Sequence, residues 1–117
     1  GYIDGTVLPV PTGRRGAYTD AAARLAEVFR EHGARSVVDC WSEDLPEGQV
    51  NSFHTAVLRR PDEAVVFSWI NWPDRAARDA AWERVLADPR LERYSPRVVG
   101  ADLGRMIFGS FVPLVDL

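Results

Sequence analysis

Four side chains in this sequence have the chemistry to move protons or hold a polar ligand from within apolar strands. Asp4 lies in Tyr2-Ile-Asp-Gly5, Asp39 in Val38-Asp-Cys-Trp41, and Ser68 in Val66-Phe-Ser-Trp-Ile70. His54 is the only histidine outside a helix terminus. A carboxylate among apolar residues needs a partner or an altered pKa, so Asp4 is a candidate general base or ligand anchor, with a structural ion pair as the alternative. His54, as the one histidine expected in a strand, is the best single proton-shuttle candidate, against the alternative of a surface histidine on an edge strand. Asp4 and His54 are therefore the candidate catalytic residues. Asp39, Trp41, Ser68, Trp69, Arg78 and Arg105 are the candidate ligand-binding residues. Asp39 and Trp41 share one side of a strand, where a carboxylate beside an indole suits a polar aromatic ligand. Arg78, one helical turn before Trp82, is an anion clamp or a surface residue. Arg105 reaches Asp4 only through a register offset or from a partner chain.

Other chemistries are excluded by what is missing. All 14 basic residues are arginine, so no lysine exists for a Schiff base or a P-loop. His32, His54 and Cys40 do not have zinc-ligand spacing, and no G-x-S-x-G elbow occurs. No metal or cofactor is expected. A net charge of −3 argues against a strong grip on nucleic acid or anionic lipid. The basic third-strand motif of RNA-recognition domains is also absent. No apolar run approaches a membrane span, no secretory leader is expected, and a single cysteine fits the cytoplasm.

The elements that must position these residues follow from periodicity. At 117 residues the chain is expected to form a single domain over 1–117. Alternation predicts a strand over 2–10, ended by Pro9 and Pro11. Thr12 is the expected cap of a helix over about 14–32, whose stripe is Tyr18, Ala22, Leu25 and Phe29. His32 and Gly33 suit its C-terminus. Further strands are expected over 35–43, 53–59 and Val65–Trp72, the third of these being the clearest. Asp74 caps a helix over about 75–87, Asp88-Pro89 opens a short one over 89–94, and a last strand runs from Arg105 to Leu114.

The resulting β-α-β-β-β-α-β order predicts an α+β, ferredoxin-like antiparallel sheet with both helices on one face. Trp41, Phe67, Trp69, Ile107, Phe108 and Phe111 are spread over both sides of that sheet. One face of an antiparallel sheet can meet water, but these residues are too apolar for it. A second copy of the chain is the expected cover, and the expected partner besides it is a small organic ligand held between sheet and helices. The expected activity, if the protein is an enzyme, is cofactor-independent proton transfer. The alternative is a structural or regulatory dimer whose cavity is filled by its own side chains.

The strings quoted above, together with Arg78-Asp79, Asp88-Pro-Arg90 and Gly104-Arg-Met-Ile107, resemble the YbaA-like family of small bacterial proteins nearly end to end. The resemblance implies a dimeric α+β barrel. The family has no established function or catalytic residue to carry over. The wider superfamily holds cofactor-free monooxygenases, isomerases, haem-binding enzymes and proteins of no known reaction, and fold alone does not choose among them.

Overall fold

The computed structural model describes residues 1–117. Four strands, β1 (Tyr2–Pro11), β2 (Ser36–Trp41), β3 (Glu63–Trp72) and β4 (Ile107–Phe111), form one antiparallel sheet in the order β2-β3-β1-β4. Helices α1 (Arg15–Glu31) and α3 (Arg75–Ala87) are the long ones; a short helix α4 (Arg90–Arg93) follows α3, and another, α2 (Phe53–Ala56), lies in the β2–β3 connection on the opposite face of the sheet. The ferredoxin-like plan expected from the sequence is the plan observed. No helix is long and apolar enough to cross a membrane.

Three local expectations are corrected. Residues 53–59 are not a strand. Ser52 opens α2 with a reciprocal capping box, its side chain accepting from the Thr55 backbone while Thr55 accepts from the Ser52 backbone. The whole β-propensity scale spans only about 1 kcal/mol. A cap contributes about as much, and burying Val57 on Val7 and Val65 adds roughly 2 kcal/mol, so the helical turn wins. The sheet therefore has four strands, not five. Thr12 does not cap α1; its hydroxyl donates to the Asp62 carbonyl (3.1 Å) from a 3-10 turn, and no side chain caps that helix. β1 continues through Pro9 and Pro11, because pairing with β4 ends at Val7 and leaves one flank of β1 without a ladder to feed.

The pleat then sorts the side chains. On β1, Tyr2, Asp4, Thr6, Leu8 and Val10 face the helices, while Ile3, Gly5, Val7 and Pro9 face away. Two core clusters form on the helix side. Leu8, Val10, Tyr18, Val66 and Val99 pack at one end of α1, and Phe29, Ala34, Trp72, Ala81 and Val85 at the other. The C-termini of α1 and α3 are tied together by His32 Nε2 on Asp88 Oδ2 (3.1 Å) and by Arg90 bridging Asp88 and Glu31 (2.8 and 2.6 Å). Gly33, at φ 119°, takes the turn that ends α1.

On the other face, the β2–β3 connection folds under the sheet and buries Val57 against Val7 and Val65, with Leu45 at the margin. Arg105 holds this connection in place. Its guanidinium meets Glu63 in a two-pronged pair (2.7 and 2.5 Å), takes Asp102 on Nε (2.8 Å), and donates to the Leu58 carbonyl (2.9 Å). Leu58 sits at φ 50°, a left-handed conformation that costs a branched residue about 1 kcal/mol and that the clasp helps to hold. Arg105 is thus a largely buried brace, set in a turn ahead of β4 and far from Asp4, rather than the first residue of the last strand. Replacing Glu63 by Gln removes the charge facing Arg105 but leaves Asp102. The expected loss is about 2 kcal/mol, below the 3–5 kcal/mol of a buried charge left wholly unpaired. Urea unfolding monitored by circular dichroism measures it.

A candidate small-molecule pocket beneath the helices

A cavity of about 660 Å³ lies between the sheet and the helix layer, in the gap that the two core clusters leave. Its apolar walls include Leu25, Phe29, Ile70, Trp82, Leu91 and Met106. Its floor is the middle of the sheet, where the register places residues in rows. Asp39 of β2 lies across from Ser68 of β3, and Ser68 lies across from Thr6 of β1. The adjoining row runs Val37, Ile70, Asp4, Ser110. Three of the sequence candidates, Asp4, Asp39 and Ser68, therefore stand in one layer, and Arg78 reaches Asp4 from α3 above it.

Asp39 Oδ1 accepts two hydroxyls, Tyr18 Oη at 2.7 Å and Ser68 Oγ at 2.6 Å. Oδ2 has no partner in the chain. Burial, and then the Asp39 charge and hydrogen bond, push the Tyr18 phenol above its usual value, so it stays protonated and donates. Tyr18 was legible in the sequence only as part of the α1 stripe. The signal for its second role is its type, since a tyrosine buried in a helix stripe needs a partner for its hydroxyl.

Asp4 is placed differently. Its Oδ2 accepts both indole N–H groups of Trp72 and Trp82, each at 2.9 Å. Ser110 Oγ donates to Oδ1 at 2.7 Å, and Arg78 adds Nη2 at 2.9 Å and Nε at 3.1–3.2 Å. Arg78 also reaches Ser110 and Asp79 and lies over the Tyr2 ring. Burial alone would raise the Asp4 carboxyl. The hydrogen bonds from Arg78, Trp82, Ser110 and Trp72 outweigh it and hold the carboxyl below its usual value. A carboxylate so fully engaged is an anchor for α3 on the sheet. Arg78 is its counter-charge rather than an open anion clamp.

The remaining candidates lie elsewhere. His54 is in α2, not in a strand. Its Nε2 donates to the Leu45 carbonyl (2.7 Å) and its Nδ1 accepts from Arg59 Nε (2.7 Å), so both ring nitrogens are occupied and neither opens on the cavity. Trp41 lies on the cavity side of β2, packs on the Tyr18 cluster and carries Arg15 over its ring at 5.5 Å. It borders a smaller adjoining hollow of about 250 Å³ with Asp39 and Tyr18. Trp69 borders the main cavity through its place in β3, but its ring stands with Phe67 (5.5 Å between centroids), whose side of the pleat faces away. No three His, Cys, Asp or Glu side chains converge as a metal would require. Cys40 is exposed and faces away from the helices.

The depressed Asp4 pKa has a pH signature. A carboxyl lowered on folding contributes stability that is complete above its unfolded value of about 3.9 and is lost as pH falls through the folded value. Asp4→Asn is therefore expected to lower the melting temperature clearly at pH about 6 and progressively less towards pH about 2. Thermal melts of both proteins across that range check it, and a gap that is independent of pH would contradict it.

Comparison with known proteins agrees with this architecture. A family model described as a protein of unknown function, DUF1428, matches residues 1–99. The uncharacterized protein YbaA of Escherichia coli K12 is 41% identical over 115 residues, covering 98% of this chain and 97% of YbaA, and the Shigella flexneri protein matches to the same extent. Among solved structures, a dimeric ferredoxin-like protein from an uncultured marine organism superposes with a TM-score of 0.66 at 11% identity, over 99% of this chain and 97% of that one. A Streptomyces coelicolor monooxygenase in complex with nanaomycin D gives 0.64 at 17%, over 100% and 90%. An uncharacterized NIPSNAP domain protein from Burkholderia xenovorans gives 0.60 at 23%, over 97% and 94%. Identities this low carry the fold and nothing finer. The near full-length match to YbaA and the family model together establish that this chain belongs to the DUF1428 family of proteins of unknown function, on a ferredoxin-like α+β scaffold.

Proposed function

We propose that the protein is a homodimer in which each protomer holds a small organic molecule between its sheet and its helices, with Asp39 as the polar contact. The cavity carries this reading. It falls within the roughly 300–1,000 Å³ of ordinary ligand sites, is mostly apolar, and has a few convergent polar groups on its floor. A purely structural dimer calls for a gap filled by its own side chains. The chemistry that fits is proton transfer without a cofactor. Asp39 Oδ2 accepts a proton from a donor group on the ligand and returns it, while Tyr18 and Ser68 steady the other oxygen. The base is thus moved from Asp4 and His54, whose lone pairs are engaged, to the carboxylate with a free oxygen. The nanaomycin complex of the Streptomyces monooxygenase lends the pocket reading support at the level of the fold.

The dimer rests on the face turned away from the helices. Phe67 (47% exposed), Ile107 (46%) and Phe111 (60%) remain open beyond the area that the β2–β3 connection covers. Past β4, Val112, Leu114, Val115 and Leu117 run on with their side chains in water. Contiguous apolar surface of this kind marks an interface. The unpaired edges of β2 and β4 offer a second copy a place to extend the sheet. Two structural neighbours are described as dimeric ferredoxin-like proteins, which agrees with this reading.

Sedimentation at micromolar concentration should give twice the 13.1 kDa chain mass. Phe67→Asp and Phe111→Asp, which alter side chains already exposed in the protomer, should give a folded monomer. A monomeric native chain overturns the dimer. The neutral environment-sensitive dye Prodan should bind the native chain with a blue shift and bind Ala22→Trp about tenfold more weakly, since that indole projects into the cavity from α1. Equal binding to both overturns the pocket.

A further inference from the structure

The cavity floor distinguishes donors from acceptors. Tyr18 and Ser68 each have one hydroxyl hydrogen, and both are directed at Asp39 Oδ1. What these oxygens show to the cavity is lone pairs. Thr6 stands across from Ser68 in the same row and adds a hydroxyl that can accept. Asp39 Oδ2 is open. The floor thus offers more acceptors than donors, the Thr6 hydroxyl being free to act as either, and suits a ligand that donates.

The charge of that ligand follows from the other carboxylates around the cavity. Asp4 is matched by Arg78, Asp88 by Arg90 and His32, and Glu92 by Arg97 (3.1 Å). Asp39 alone has no cationic partner. Arg15 lies over the ring of Trp41, two residues on in the same strand, and makes no ion pair with Asp39. Asp39 is solvent-exposed within the open cavity, and an unmatched carboxylate beside apolar walls favours a positive ligand group, because a charge-assisted hydrogen bond is roughly twice as strong as a neutral one. The same charge rejects a carboxylate or phosphate ligand. The aromatic rings of Phe29, Trp82 and Tyr94 in the walls suit a flat apolar body.

Resting on the pocket reading above, we propose that the ligand is an arylalkylamine, a flat aromatic body carrying an aliphatic amine, bound as its ammonium ion, its N–H groups shared between Asp39 Oδ2 and the hydroxyl oxygens of Ser68 and Thr6. Three naphthalene probes of matched shape test it on the full chain by isothermal titration calorimetry: naphthylethylamine, naphthylethanol and naphthylpropionate. The amine is expected to bind about tenfold more tightly than the alcohol, and the carboxylate more weakly than either. Asp39→Asn should bring the amine and the alcohol to within about twofold of each other while the alcohol keeps its affinity. The ranking on the native chain stands as a test even if that variant fails to fold. Equal binding of all three probes, or a preference for the carboxylate, overturns the amine assignment and leaves the pocket standing. An amine preference that survives in a folded Asp39→Asn protein likewise overturns it. No binding of any probe at millimolar concentration overturns the pocket and the amine together.

Discussion

The structure depends on one buried carboxylate that has given up its basicity to hold two layers together. Asp4 sits on β1 between its two neighbours, so its donors come from β3 (Trp72), from β4 (Ser110) and from successive turns of α3 (Arg78 and Trp82). Burying a lone carboxylate among apolar side chains is costly, and only a full complement of hydrogen bonds with a counter-charge offsets it. That requirement fixes the height and azimuth of α3 above the sheet. With α3 set, the Phe29–Trp72–Trp82 aromatic group closes one end of the helix layer. The cluster around Tyr18 and Leu8 closes the other, and the cavity is what remains between them.

The cavity stays open because its floor is polar. Had the row Asp39–Ser68–Thr6 been aliphatic, α1 could settle onto it as it settles onto Leu8 and Val66. Small alanines on the facing side of α1, Ala21, Ala22 and Ala26, do not reach across. Only Tyr18 does, and it does so with its hydroxyl. The polar row and the short residues above it are two halves of one feature, visible in the sequence separately but joined only by the packing angle of α1.

Legibility divides along the same line. Features set by neighbours in sequence were readable: the pleat that puts Asp39 on the same side of its strand as Trp41, the Asp74 cap on α3 (2.8 Å to Ala77 N), and the Gly33 turn. Features set by partners far along the chain were not. Arg105 is paired with Glu63 and Asp4 with Arg78, and nothing in either local pattern names those partners. The segment at 53–59 resembles a strand because Phe, Thr and Val favour strands in isolation, whereas a capping box at Ser52 and one buried valine decide the outcome.

The two faces of the sheet are not independent. Asp39, the carboxylate with a free oxygen, is on β2, an edge strand of six residues whose only partner is β3. On the reverse of β2, Val38 and Cys40 stand beside Trp69 and Phe67 in the apolar patch. An edge strand covered on one side only is free to fray, and fraying moves Asp39 away from Tyr18 and Ser68. In the proposed dimer the partner packs on that patch and holds β2 flat against β3. Pocket geometry and assembly then become one requirement. In that proposed dimer the apolar residues on the reverse of the sheet also keep the acceptor row on the front in register.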